Sequence, residues 1–314
     1  MAVSFRRQML FDALHPAYAG DVGLGINPKL KARIEASDLL ILLGGRFSEV
    51  PSQGYSLLGV PDPGKRVVHV HPGAEELGRV YRPWLGINAL PGRVAAALAE
   101  ASGGFKRDGE WMAAAHADYL EWSGTPPAMP GDVQMGEIVS WLRDHLDDDA
   151  IITNGAGNYA IWIHRFWRYR SWNSQLAPVS GSMGYGLPAA LAAKLEEPER
   201  TVVCFAGDGC FQMTMQDFAT AVQYGANIIV IVVDNGQYGT IRMHQTRRFP
   251  GRDCATRITN ADFAAYAEAC GGAAWRVEKT EDFFTAFRQA RKAGKPALIH
   301  VKIAPEALGP GITA

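Results

Sequence analysis

Two stretches decide how this chain is read. One is Thr201-Val202-Val203-Cys204-Phe205-Ala206-Gly207-Asp208-Gly209. The other is Ile228-Ile229-Val230-Ile231-Val232-Val233-Asp234-Asn235-Gly236-Gln237-Tyr238-Gly239, which puts Asn235 27 residues after Asp208. In each, an apolar run without polar alternation stops at an Asp and a Gly. Unbroken apolar runs of this length mark strands covered on both faces, as in a parallel sheet. Between them, Thr214 to Tyr224 has the pattern of a helix, which completes a strand-helix-strand unit. In open sheets of this kind, ligands gather beyond the carboxyl ends of the strands, and that is where both Asp-Gly turns fall.

The same alternation extends outward in both directions. C-terminally, helices are expected over Asp262 to Cys270 and Glu281 to Ala293, and a strand over Ala297 to Val301. N-terminally, Ala150 to Thr153 reads as a strand, with helices over Met135 to Leu146 and Tyr185 to Leu195. Earlier still, Asp38 to Leu43 and Arg66 to His71 read as strands, with helices from Asn27, over Leu90 to Ala99 and over Glu110 to Trp122. Thr125-Pro126-Pro127-Ala128-Met129-Pro130-Gly131-Asp132 is the strongest break in this pattern. The expected fold is therefore α/β, with two doubly wound parallel-sheet domains, residues 1–128 and 129–314, the first of them incomplete.

Composition narrows the function classes. The 31 basic and 32 acidic residues leave a net charge of -1, so no global basic field exists to hold nucleic acid or an anionic membrane. The longest aliphatic run is six residues, against roughly 20 for a membrane span. Neither nucleic acid nor membrane is an expected partner. The four cysteines contain no Cys-x-x-Cys pair, which fits a reducing cytoplasm better than a disulfide framework.

Four motifs carry chemistry. Asp208, between two glycines, can turn its carboxylate toward a cation. Asn235 offers an amide oxygen, and the bend at Gly236 lets the Gln237 carbonyl face the same point. One carboxylate, one amide and one carbonyl form a hard oxygen set suited to Mg²⁺ or Ca²⁺, with places left for phosphate oxygens and water. Either stretch could equally be an ordinary turn. In Ser180-Gly181-Ser182-Met183-Gly184-Tyr185-Gly186, bare backbone could approach a flat ring with Met183 packed on it, or Met183 could be plain core. Ala156-Gly157-Asn158-Tyr159 opens a helix, where free amides favour phosphate.

Together these motifs resemble the thiamine-diphosphate-dependent enzymes of the acetolactate synthase, pyruvate oxidase and benzoylformate decarboxylase group. The resemblance covers residues 133 to 303 as the diphosphate-binding domain and about Ser4 to Leu98 as most of the middle domain. It implies that Asp208, Asn235 and the Gln237 carbonyl hold Mg²⁺. It also implies that Gly157, Asn158, Gly209 and Cys210, with Gly207 and Tyr238 beside them, cradle the diphosphate. Met183 would be the apolar wedge under the cofactor, and the Gly181 carbonyl would accept from its aminopyrimidine. The implied reaction is decarboxylation or carboligation of a 2-oxo acid, with the thiazolium ring as electron sink.

The sequence departs from the family in several places. The pyrimidine-binding domain, with its glutamate, has no counterpart here. The expected partners are thus a small 2-oxo acid and either a homo-oligomer or a second chain carrying that domain. The alternative is an inactive cofactor-binding remnant or a subunit of a split enzyme. Arg46-Phe47 keeps part of a flavin-contacting pattern, but Ser48-Glu49-Val50 does not, so FAD has weaker support than thiamine diphosphate. His244 stands where acetolactate synthases place a pocket tryptophan, either as a catalytic acid or base or as a surface histidine. Trp162, Phe166, Trp167, Tyr169 and Trp172, interleaved with arginines, are expected to pack at a subunit interface.

Overall fold

The computed structural model describes residues 1–103 and 109–313. They divide into two compact units, 1–122 and 123–314. The sequence reading put this division at residue 128. The helix over Glu110–Trp122 closes the first unit, whereas the Pro-rich stretch after it is bonded into the second. Thr280 donates from its amide (3.2 Å) and its hydroxyl (3.0 Å) to the Asp132 carbonyl, and Gln134 N donates to Thr280 Oγ1 at 2.8 Å.

Unit 1 begins with two short strands, β1 (Val3–Ser4) and β2 (Asp21–Val22), paired in parallel. Helix α1 (Pro28–Ala36) follows, with Pro28 in its first turn and the Asn27 side chain accepting from Lys29 N, a capped start of the expected kind. Strands β3 (Leu39–Leu43), β4 (Arg66–His71) and β5 (Leu85–Asn88) then make a parallel sheet in that order, with β3 at the edge. Helices α2 (Pro91–Ala101) and α3 (Glu110–Trp122) complete the unit. Its core joins Leu30, Ile34, Leu42, Val67 and Ala115 on one face of the sheet. On β3 the alternate residues Leu39, Ile41 and Leu43 are 38–47% exposed, and α2 buries none of its residues.

Unit 2 runs α4 (Met135–His145), β6 (Ile151–Asn154), α5 (Tyr159–Phe166), β7 (Gln175–Leu176), α6 (Gly186–Glu196), β8 (Val202–Gly207), α7 (Asp208–Phe211), α8 (Asp217–Gln223), β9 (Ile229–Asp234), α9 (Gly239–Arg248), α10 (Phe263–Ala269), β10 (Ala273–Val277), α11 (Thr280–Lys292) and β11 (Ala297–Lys302). A small antiparallel pair, β12 (Ala307–Gly309) and β13 (Ile312–Thr313), ends it. The six main strands form one parallel sheet in the order β10-β11-β9-β8-β6-β7. Alternation along β8 sends Val202, Cys204 and Ala206 to the core shared with α6, α8 and α10. The intervening Val203 and Phe205 are equally buried on the other side, so the sheet is wound on both faces.

The chain leaves β6 for β7 on one side and returns to β8 on the other. That reversal opens a crevice at the carboxyl ends of β6 and β8, the usual place for a ligand in this architecture. The aromatic run does not form the expected interface. Trp162, Phe166, Trp167 and Tyr169 are all buried in unit 2, and only Trp172 is exposed. α5 turns its apolar stripe into the core instead, where Trp162 and Phe166 fill space beside the sheet.

Candidate functional site

A cleft of about 540 Å³ opens at that crevice. It is lined by Gly157, Asn158, Met183, Gly207, Asp208, Gly209, Cys210, Asn235, Gln237 and Tyr238. Ten of the twelve residues singled out in the sequence therefore meet in one place. Gly181 lies on the Met183 loop at φ +74°, exposed, but outside the lining; His244 is exposed on α9, also outside it.

The β8–β9 pairing explains the meeting. Gly207 is in register with Val233, so the two strands end side by side and deliver Asp208 and Asn235 to the same edge. Asp208 is buried, and its Oδ1 accepts from Gly209 N at 2.9 Å while Oδ2 accepts from Gly236 N at 3.0 Å. Gly236 turns at φ +66°, a left-handed conformation that favours glycine. Gln237 is also buried. Its side chain is committed elsewhere, with Nε2 donating to the Pro305 carbonyl at 2.6 Å and Oε1 accepting from Arg242 at 2.6 Å. The backbone carbonyl is thus the group of Gln237 left for a cation, although Gly239 N already donates to it at 2.9 Å.

The cradle is built close. A Cβ on Gly209 would sit 2.6 Å from the Tyr238 ring, and one on Gly207 2.9 Å from the Tyr159 ring. Asn158 N donates to Thr240 Oγ1 at 3.0 Å, tying the β6 loop to α9. A buried chain of bonds then joins three loops. Gly155 N donates to Tyr159 Oη (3.0 Å), Tyr159 O–H donates to Cys210 Sγ (3.4 Å), and Gly184 N donates to the same sulfur (3.1 Å). Cys210 is buried, and its sulfur accepts both of these bonds. Met183 is half-buried at the cleft wall.

The electrostatics centre on two carboxylates. Burial pushes Asp208 up to about 6; bonds from Asn260 and Gly209 N pull against this, and the nearby Asp234 charge adds to it. Asp208 is therefore still ionised at neutral pH, as a hard cation needs. Asp234 is held below the ordinary carboxylate range: burial pushes it the other way, but His300 and the Gly236 amide outweigh burial. The sequence does not mark Asn260 and His300 as site residues. They lie 52 and 66 residues from Asp208 and Asp234, respectively. No motif spacing carries them.

These observations meet the needs of a diphosphate held through a divalent cation. Glycines stand where a side chain would close the cradle, one ionised carboxylate lies beside amide and carbonyl oxygens, and a half-buried methionine borders the cleft. Among the described residues no cluster of three or more His, Cys, Asp or Glu side chains forms a metal site, and the expected set uses only one such side chain.

Comparison with known proteins gives the family. Residues 155–301 match the C-terminal TPP-binding domain of thiamine pyrophosphate enzymes, and residues 1–98 match their central domain. The chain belongs to the thiamine pyrophosphate enzyme family. It is 31% identical over 312 residues to a thiamine pyrophosphate-containing protein, YdaP, of Bacillus subtilis (strain 168), covering 95% of this chain and 51% of that protein. It is 28% identical over 316 residues to the acetolactate synthase large subunit of Corynebacterium glutamicum, covering 95% of this chain and 49% of that protein. In fold it is similar to the Rhodococcus jostii RHA1 thiamine diphosphate-dependent 4-hydroxybenzoylformate decarboxylase, with a TM-score of 0.76, 24% identity, and coverage of 94% of this chain and 54% of that one. The chain spans about half the length of the curated relatives it matches. Among the described residues no helix is long and apolar enough to cross a membrane.

Proposed function

We propose that this chain supplies the diphosphate-binding side of a thiamine diphosphate- and Mg²⁺-dependent enzyme that decarboxylates or carboligates a 2-oxo acid. The observation that carries this is the convergence of Asp208, Asn235 and Gln237 with the Gly157–Asn158 and Gly209–Cys210 turns in one cleft. Asp208, the Asn235 amide oxygen and the Gln237 carbonyl hold the cation. The amides of the two turns bind the diphosphate, and Met183 supports the ring system. The cofactor, when bound, supplies the electron sink for the carbanion left by loss of CO₂.

The chain's own residues orient and desolvate. The apolar wall and the buried Asp208 exclude water from the anchor, which strengthens the ion contacts. Pyrimidine recognition and its acid–base partner belong to a region outside these 314 residues, which span about half the length of the curated relatives. FAD is not part of the proposal, nor is a catalytic role for the exposed His244.

The test is calorimetric titration of thiamine diphosphate with and without Mg²⁺. The unaltered chain should bind in a Mg²⁺-dependent way. Asp208→Ala should lose that binding while keeping its melting temperature within a few degrees, because the site lies at strand ends outside the core. Equal binding by the variant would remove Asp208 from the site.

A further inference from the structure

Two carboxylates stand side by side at the cleft, yet the proposed cation set uses one. Asp234 is adjacent in sequence to Asn235 and close in space to Asp208. A free second carboxylate would swing to the cation and take a place that a phosphate oxygen needs, since hard cations gather carboxylates readily. Something must hold Asp234 off.

The hydrogen bonds show what does. Asn260 Nδ2 donates to Asp208 Oδ2 at 2.8 Å and to Asp234 Oδ1 at 2.6 Å. Gly236 N also reaches Asp234 Oδ1, at 2.9 Å. The other oxygen, Oδ2, lies 2.7 Å from His300 Nε2. An ionised carboxylate can only accept, so His300 carries a proton on Nε2. Both oxygens of Asp234 are therefore already engaged, Oδ1 by Asn260 and Gly236 and Oδ2 by His300. Asp208 keeps its aim because the same amide group that restrains Asp234 also holds its Oδ2.

Asn260 is itself fixed. The carboxylates can only accept, so they set the Asn260 NH₂ toward themselves, and its Oδ1 accepts from Gln212 Nε2 at 2.7 Å. The segment before it runs beside the 236–238 turn, with Tyr238 N donating to the Thr256 carbonyl and Ile258 N to the Gly236 carbonyl, each at 2.8 Å. Two residues after it, Asp262 caps α10 by accepting from Ala264 N and Ala265 N. Asn260 thus sits between two backbone anchors, and its side chain has little freedom.

From this we infer that Asn260 is a positioning residue for the cation: with His300 it keeps Asp234 out of the coordination sphere and holds Asp208 in it. The inference rests on the proposed thiamine diphosphate–Mg²⁺ reading of the cleft. Groups one shell out from a metal typically change affinity by about 10–100-fold when removed.

The experiment measures the Kd of thiamine diphosphate at saturating Mg²⁺ and the melting temperature for the unaltered chain, Asn260→Ala, Asn260→Ser, Asp208→Ala, Asp234→Asn and the double variant Asn260→Ala/Asp234→Asn. Asn260→Ala and Asn260→Ser should each weaken binding by about 10-fold or more with little change in melting temperature. Ser is included because its short hydroxyl cannot reach both carboxylates. Adding Asp234→Asn should restore most of the lost affinity, because it removes the charge that the clamp restrains. Unchanged binding in Asn260→Ala overturns the inference. So does a loss that comes with a lower melting temperature and is not rescued by Asp234→Asn, which would make Asn260 a packing residue. Absence of Mg²⁺-dependent binding by the unaltered chain, or its persistence in Asp208→Ala, would overturn the functional proposal and this inference with it. Loss in Asp208→Ala alone would overturn only the inference.

Discussion

Strands β3 and β9 look alike in sequence and live in different surroundings. Leu39-Leu40-Ile41-Leu42-Leu43 and Ile229-Val230-Ile231-Val232-Val233 are both unbroken apolar runs. All five residues of the second are buried, whereas three of the first are 38–47% exposed. β9 lies between β8 and β11 with helices on both faces; β3 is an edge strand, and α2 covers its sheet without burying a residue. The lesson is that an apolar run reports what a strand can tolerate, and its neighbours decide what it gets. A sheet closed on both faces can fix strand ends tightly enough to aim Asp208 and Asn235. The half-exposed edge strand of unit 1 offers no comparable platform.

The largest effect that would test this contrast is truncation on either side of it. Phe205→Ala, on the fully buried β8, should cost about 3–5 kcal/mol. Ile41→Ala, on β3, should stay within about 0.5 kcal/mol, as exposed positions do. Urea unfolding of both variants in the full chain measures the difference, and equal losses would break the comparison. Met183→Ala comes next. As a half-buried cleft residue it should lose less stability than Phe205→Ala, yet weaken turnover in an enzyme completed with a pyrimidine domain more than it weakens cofactor binding. A stability loss in the full core range of about 2–5 kcal/mol would return Met183 to the core.

The last test concerns pH and unit 1. Burial pushes Asp21 from 3.8 up to about 7, against a backbone hydrogen bond that lowers it. Between those values the native state holds a proton that the unfolded chain releases. This contribution is therefore full below about pH 4 and is lost as pH rises through 7. Asp21→Asn should match the unaltered chain near pH 4 and melt higher above pH 7. A constant difference in melting temperature across that range would argue against it.

Much of unit 2 could be read from the sequence because its signals are local. The runs that became β8 and β9 lie within two residues of their expected bounds, as do α4, α10 and α11. The Asp208–Asn235 set came from the spacing of two turns. What could not be read depends on contacts distant in sequence. His300 becomes meaningful only once β11 lies next to β9, and Asn260 only once the segment before it runs beside the 236–238 turn; nothing near them in sequence marks them as neighbours of Asp234 and Asp208. β10, Ala-Ala-Trp-Arg-Val, is a partly exposed edge strand of small and mixed residues, so it lacks the apolar run that marked the others. The aromatic run over α5 misled for a related reason: its arginines suggested a surface, but the helix turns its large rings inward.

The segment from Ser123 to Gln134 has a bearing on how such units can be recombined. It precedes the first helix of unit 2 but is fastened to that unit's far end. Gly131 fits against Ala304, where a Cβ would come within 2.8 Å, Gly311 N donates to the Met129 sulfur at 3.4 Å, and Arg143 reaches back to the Ser123 carbonyl at 3.2 Å. It acts as a clasp around the module. A graft cut just before α4 would discard it and leave Thr280 and Arg143 without these bonds, while a graft cut at Ser123 carries its own fastening into the new host.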